Sequence, residues 1–414
     1  MSDQKQMRRN LLFNTVGNLI FFACQYLTNL LVVWLGGYED AGLLSTAMTI
    51  ASAALSFACY GMRTFQVSDL SGKYADRIYL RSRVVTLSAA FAAAAVFAAA
   101  NSYSPLQKYI ILAYTGYRLI EADVDVWHGF LQRAERMDLV GVSFGIRGLL
   151  SAVSFVAGLV LLKDLLFTIL IMLATNLLYA VFFDRRQGRA YADFEKTGSA
   201  GVFALLWECA PLALYSFLNV LVSSVPKYFC ERLLGTVQMG YFNSIFAPAA
   251  IIQVGATYLF VPFITTFARL WNEKNGKGFR RAVTLAGIFL AVLLLLGFAG
   301  VAVAGRWGLS VLYYGKPEIL AYTSLLYPLI GCTVLTTAVL IECHLLTIMR
   351  EMKGLIAGNL AGIAVSAAVS QPLTVGFGVY GTAFATMAAL LVQGVVLGIF
   401  MVLRARRQFG AKQD

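Results

Sequence analysis

The run "AVTLAGIFLAVLLLLGFAGVAVAG", Ala282 to Gly305, carries no charge from end to end. About 20 apolar residues in a helix cross roughly 30 Å of hydrocarbon. In lipid every backbone N–H and C=O must be paired within the segment or in a closed barrel, so a run this long folds as a spanning helix. "FATMAALLVQGVVLGIFMVL", Phe384 to Leu403, repeats the pattern. The whole chain agrees, with 59% apolar and 13% charged residues and a mean hydropathy of +0.73 over 414 positions. Soluble domains carry about 25% charge. The sequence therefore predicts an all-α, polytopic membrane protein.

Spans are predicted near 11–35, 43–61, 84–100, 109–130, 148–162, 165–183, 203–224, 239–265, 282–304, 319–346, 355–374 and 381–403. The fourth contains "YRLIEADVDVWHGFLQ", Tyr117 to Gln132, with Arg118, Glu121, Asp123 and Asp125 inside it. Cytoplasmic loops collect Lys and Arg, which tests whether this segment crosses. Counted as a span, it puts 26 of the 33 Lys and Arg on one side and six on the other, with Arg118 inside. The larger group includes Arg83, Arg147, Lys196 and Lys412. Left out, the tally becomes 13 against 20 and the bias loses its direction. The charged segment therefore crosses, giving about twelve spans and cytoplasmic N- and C-termini. The net charge of +12 belongs to short loops and does not point to nucleic acid. The first span reads as an uncleaved anchor. The six cysteines, mostly in apolar windows without paired metal spacing, read as packing residues.

Weak internal repeats align two halves. "LGGYEDAGLLS" and "LLGTVQMGYFN" share a step from Gly37 to Gly42 and from Gly235 to Gly240, and "LAYT" occurs at Leu112 and Leu320. "GVSFG" at Gly141 matches "GLIAG" at Gly354. Two six-helix lobes are expected, 1–198 and 199–414, joined by the basic loop near "DRRQGRAYADFEKTGSAG". Six spans per half make the repeat parallel, with the lobes related by a pseudo-two-fold.

An ionisable residue within a span costs about 2.5–3.5 kcal/mol on insertion scales, so it faces protein or a wet cavity. On a helix Arg118, Glu121 and Asp125 share one face while Asp123 points elsewhere. Two readings stay open. Arg118 and Glu121 form an ion pair that assists insertion, or Glu121 and Asp125, like charges four residues apart, exchange H⁺ or Na⁺ as coupling carboxylates. The first span carries a stripe of Asn14, Asn18, Gln25 and Asn29, which either bonds to other helices or lines a cavity. The seventh places Asn219 between Pro211 and Pro226 and then Lys227; the eighth holds Asn243, Pro248, Gln253 and Pro262. Prolines in spans are expected where a helix bends. Lys227 either faces a cavity or snorkels to the outer interface.

No phosphate-binding G-x4-G-K-[ST] loop occurs. Two histidines, His128 and His344, cannot build a metal centre, and no outer loop exceeds about fifteen residues. The expectation is secondary transport, with no enzyme activity and no cofactor.

"NTVGNLIFFACQYLTNLLVVWLGGYEDAGLLSTAMTI", "YGMRTFQVSD", "YRLIEADVDVWHGFLQRAERMD" and "PKYFCERLLG" resemble segments of the Wzx-type polysaccharide flippases. These form part of the multidrug/oligosaccharidyl-lipid/polysaccharide exporter superfamily. The resemblance implies alternating access between two lobes. It implies movement of a polyprenyl-diphosphate-linked oligosaccharide to the outer leaflet of a bacterial inner membrane. Membrane lipids, a polysaccharide polymerase and other biosynthesis proteins are the implied partners. Cationic residues of the family bind the diphosphate and sugars, and the matched segments offer Arg63, Arg118 and Lys227. The rival readings are a drug/cation antiporter of the same superfamily, a lipid II flippase, and a membrane-embedded glycosyltransferase or polymerase.

Overall fold

The computed structural model describes residues 2–69, 72–195, 198, 200–314 and 316–410, with the side chains of 2–4, 257–259, 261, 262 and 410 left aside. Lys196, Lys412 and the side chain of Pro262 thus lie outside the described residues. All regular elements among the described residues are helical. The chain divides into two compact units, Met1–Phe217 and Leu218–Asp414.

The first unit holds α1 (Ser2–Leu35), α2 (Gly37–Cys59), α3 (Met62–Ser68), α4 (Asp76–Ala100), α5 (Pro105–Arg133) and α6 (Met137–Leu162). α7 (Leu165–Tyr179) runs through a π-helical turn, Ala180–Asp184, into α8 (Arg185–Arg189). α9 (Val202–Leu234) begins in this unit and ends in the next. The second unit continues with α10 (Thr236–Asn272), α11 (Gly276–Leu312), a 3₁₀ segment (Pro317–Leu325) leading into α12 (Leu326–Ile348), α13 (Met352–Phe377) and α14 (Val379–Gly410). Ten helices or joined helices are long and apolar enough to cross a membrane among the described residues. The chain is a multi-pass membrane protein.

Most helices start earlier than the spans expected from sequence, and at two of them the difference moves an arginine from loop to helix. α4 begins at Asp76 and α6 at Met137, so Arg83 and Arg147 lie on helices, each 1% exposed, rather than in loops. A hydropathy window stops at a charge; the helix continues wherever a buried partner can receive it.

The repeat has a backbone signature. Gly37 (φ +90°) and Gly235 (φ +85°) turn the chain between the first and second span of each half. Glu135 and Arg350, then Lys163 and Gly378, also adopt positive φ, at the links that follow the fourth and fifth spans of each half. Equivalent corners of both halves thus use the sparsely populated left-handed region.

Within the first unit α1 lies against α6 along small residues. Gly17 and Gly141 leave no room between the two backbones for a methyl group, and Gly148 packs on the backbone of Phe21. Without a hydrophobic drive inside lipid, such close approach is what joins spanning helices. Gly17→Val is expected to force α1 off α6 and cost about 1–3 kcal/mol or more. Thermal unfolding in detergent, compared with a substitution at exposed Val16, measures it.

α9 continues as helix through Pro211 and Pro226, and α10 through Pro248. A proline leaves the carbonyl four residues earlier without its donor. The carbonyl before Pro226, on Val222, receives the hydroxyl of Ser366 on α13 at 3.1 Å. The one before Pro248, on Ser244, receives the hydroxyl of Tyr313 at 2.7 Å.

Candidate functional site

α5, the segment expected as the fourth span, starts cleanly. Ser104 accepts from the Gln107 amide at 3.2 Å and Pro105 takes the first helical position, where no amide is needed. From there α5 carries the charges down one face, and neighbouring helices bring the counter-charges. Arg118 Nη1 donates to Glu121 Oε1 at 2.5 Å. One turn on, the two oxygens of Asp125 take separate guanidiniums, Arg63 of α3 at 3.3 Å and Arg83 of α4 at 3.1 Å. Arg63 Nε also donates to Gln132 at 2.9 Å. Arg83 donates to the Ala58 carbonyl, which in turn accepts from Thr86. Cys59 lies within electrostatic reach of Arg83, Asp125, Arg118 and Glu121. An alanine seam, Ala54, Ala58, Ala90, Ala94 and Ala122, lets α2, α4 and α5 approach closely enough for this.

Three guanidiniums therefore face two carboxylates, leaving one positive charge in excess. Arg118, Glu121, Arg63 and Asp125 keep 14–23% of their side-chain surface accessible, while Arg83 is sealed at 1%. The sealed arginine fixes Asp125, and the accessible ones can meet a ligand. Glu121 and Asp125, for which an ion pair and a coupling role were both left open, are each held by arginine. Asp123 turns away from this face and pairs with Arg185 at 3.1 Å.

The other expected residues are dispersed. Asn18 bonds back to Asn14, and Asn29 to the Gln25 carbonyl at 3.0 Å, so the stripe of α1 partly serves its own helix. Gln25 lines a void of about 10 Å³ with Thr28, Tyr114, Tyr117 and Ser151, room for about one water. In the second unit Asn219 belongs to an amide trio, accepting from Gln393 at 3.1 Å while Gln393 also reaches Asn359 at 3.0 Å. Lys227 Nζ sits 4.6 Å over the ring of Phe246, a cation–π contact.

Sequence reasoning missed Arg83, which it counted as a loop charge, and the partners Gln393 and Asn359. It also passed over Glu342 of α12, whose carboxylate lies beside Gly394 and Gly398 and whose buried Oε2 has no hydrogen-bond partner among the described residues. A single acid in "VLIECHLLT" was the available signal. A separate groove of about 400 Å³ runs between α10, α11 and α12, lined almost wholly by apolar atoms of residues such as Ile252, Leu296, Gly300, Ala304 and Leu326.

The two helical units have a MATE-like transporter fold. An inward-facing structure of a multidrug-resistance MATE-family transporter of the MOP superfamily matches with a TM-score of 0.73 at 12% identity, over 98% of this chain and 100% of that one. The VcmN MATE transporter of Vibrio cholerae gives 0.66 at 10%, over 98% of each chain. A MOP-superfamily transporter of Pyrococcus furiosus gives 0.65 at 13%, over 99% of this chain and 97% of that one. These neighbours are transporters, not enzymes. In sequence, the chain is 25% identical over 329 residues to the capsular polysaccharide biosynthesis protein CapF of Staphylococcus aureus, covering 76% of this chain and 80% of that one. No family model matches.

Proposed function

We propose that this chain is an alternating-access flippase that moves a polyprenyl-diphosphate-linked oligosaccharide from the cytoplasmic to the outer leaflet of a bacterial inner membrane. The observation that carries the reading is the cluster of three guanidiniums on α3, α4 and α5 facing two carboxylates, with Arg118 and Arg63 accessible beside Glu121 and Asp125. The similarity to a capsular polysaccharide protein supports the cargo. While the site is empty, the two carboxylates offset two of the three arginines. A diphosphate diester brings about two negative charges and more acceptor oxygens than one carboxylate, so it competes for the accessible guanidiniums. Asn18, Gln25 and Asn29 of the first unit, and Lys227 and Asn219 of the second, are proposed as further substrate-binding residues.

The membrane potential suits this direction. Each negative charge carried outward from a negative cytoplasm gains up to about 2.3 kcal/mol per 100 mV. The apolar groove on the second unit suits the polyprenyl tail. Gly300 and Gly308 have open space where a side chain would go, so Gly300→Leu fills the groove without disturbing its neighbours. That variant is expected to insert normally and to flip lipid-linked glycan several-fold more slowly, while a water-soluble head-group analogue binds as before.

The test of the whole reading is deletion of the gene. Lipid-linked glycan facing the cytoplasm should accumulate and surface glycan should disappear. A drug/cation antiporter is the second reading, favoured by the multidrug transporters among the fold neighbours. It predicts lost drug resistance with surface glycan unchanged.

A further inference from the structure

We propose that His128 and Asp184, flanked by Arg147 and Tyr179, form a proton-binding site within the first unit that couples transport to a pH gradient. It rests on the transport reading above but not on the identity of the cargo. His128 of α5 and Asp184 at the end of the π turn are each 1% exposed, and Nε2 lies 3.5 Å from Oδ1. That distance suits an ion pair but exceeds the 2.7–3.2 Å of an N–H···O hydrogen bond. The imidazole rests edge-on against Phe144, with ring centroids 5.2 Å apart.

Five buried polar atoms here have no hydrogen-bond partner among the described residues: His128 Nε2, both carboxylate oxygens of Asp184, Arg147 Nε and the Tyr179 hydroxyl. Buried polar groups are nearly always satisfied, and each exception costs about 1–3 kcal/mol. A concentration of exceptions marks a place completed by something else. The chain also gives up regular α geometry over Ala180–Asp184 to bring this carboxylate inward, and π turns of this sort gather at functional sites.

The charges present select the ligand. Arg147 and Arg63 act electrostatically on His128, as does Asp184, and Tyr179 feels both Asp184 and Arg147. A metal cation would find one carboxylate and a repelling guanidinium. A proton needs only the imidazole nitrogen, and the imidazolium then faces Asp184. His128 follows Asp125 by one helical turn, so a proton gained there adds positive charge behind the arginine cluster. Proton occupancy and anion binding are thereby linked through the field rather than through contact.

The chain has two histidines, so His344→Gln leaves His128 as the sole imidazole. In nitrogen-15 histidine spectra of that protein in nanodiscs, the His128 signals should pass from neutral to imidazolium between pH 8 and 5. Asp184→Asn should move the transition by about one pH unit or more, and Tyr179→Phe should perturb it less. In vesicles His128→Gln should lose most of the response of flipping to an imposed pH gradient and keep the response to membrane potential. A His128 that stays neutral to pH 5, a transition indifferent to Asp184→Asn, or an intact pH-gradient response in His128→Gln would each overturn the proton site. Failure of the wild-type protein to flip lipid-linked glycan would instead remove the cargo assignment and leave the titration standing.

Discussion

Arg118→Ala should reduce export of lipid-linked glycan about ten- to hundredfold while the protein still inserts at near-normal level. A hydrogen bond to a charged group is worth about 1.5–3 kcal/mol, and each 1.4 kcal/mol is a factor of ten. The predicted insensitivity of folding follows from the geometry. Glu121, three residues away on the same helix, is Arg118's ion-pair partner, and both keep some access to solvent. The freed carboxylate can be hydrated or protonated. Arg118→Lys keeps the charge but loses the planar fork, and should fall between the two. Lys227→Ala should lower export without affecting yield, since what it gives up is one cation–π contact with Phe246. Surface glycan measured against membrane abundance reads both variants. Normal glycan in Arg118→Ala and Lys227→Ala would remove those residues from the site.

Arg83→Met has the opposite character. Its guanidinium is 1% exposed and donates to Asp125 and to the Ala58 carbonyl, so its loss leaves Asp125 with Arg63 and the Ala58 carbonyl with Thr86 as their remaining partners. Breaking one side of a buried ion pair costs about 3–5 kcal/mol. We expect low yield and a large drop in thermal midpoint in detergent. Asp125→Asn in the same background should recover part of the loss, because it removes the charge that has lost one of its two partners. Exposed Arg81, two residues earlier, is the control: Arg81→Met should stay within about 0.5 kcal/mol of wild type.

The helical architecture was legible because lipid leaves few solutions, although the loop charges counted about twelve spans where ten helices among the described residues are long and apolar enough to cross. The fourth segment was expected to cross from charge bias alone, against its local polarity, and α5 is not among those ten helices. The repeat was faint in residue identity, yet Gly37 and Gly235 marked corners that do require unusual backbone. The site was legible only along single helices. That Arg118 meets Glu121 follows from a three-residue step. That Asp125 meets Arg83 depends on an alanine seam bringing α4 against α5, and nothing in the local pattern announces it. His128 with Asp184, and Asn219 with Gln393, are similar cases. Side chains far apart in sequence meet through packing whose register hydropathy does not encode.

The prolines of α9 and α10 have a mechanical consequence. A helix usually bends at a proline because nothing stitches that turn, but here Ser366 and Tyr313 supply the missing stitch from outside the helix. Flexing α9 at Pro226 must therefore either drag α13 along or snap a single hydroxyl bond. A joint fastened this way stays rigid under small fluctuations and yields in one step.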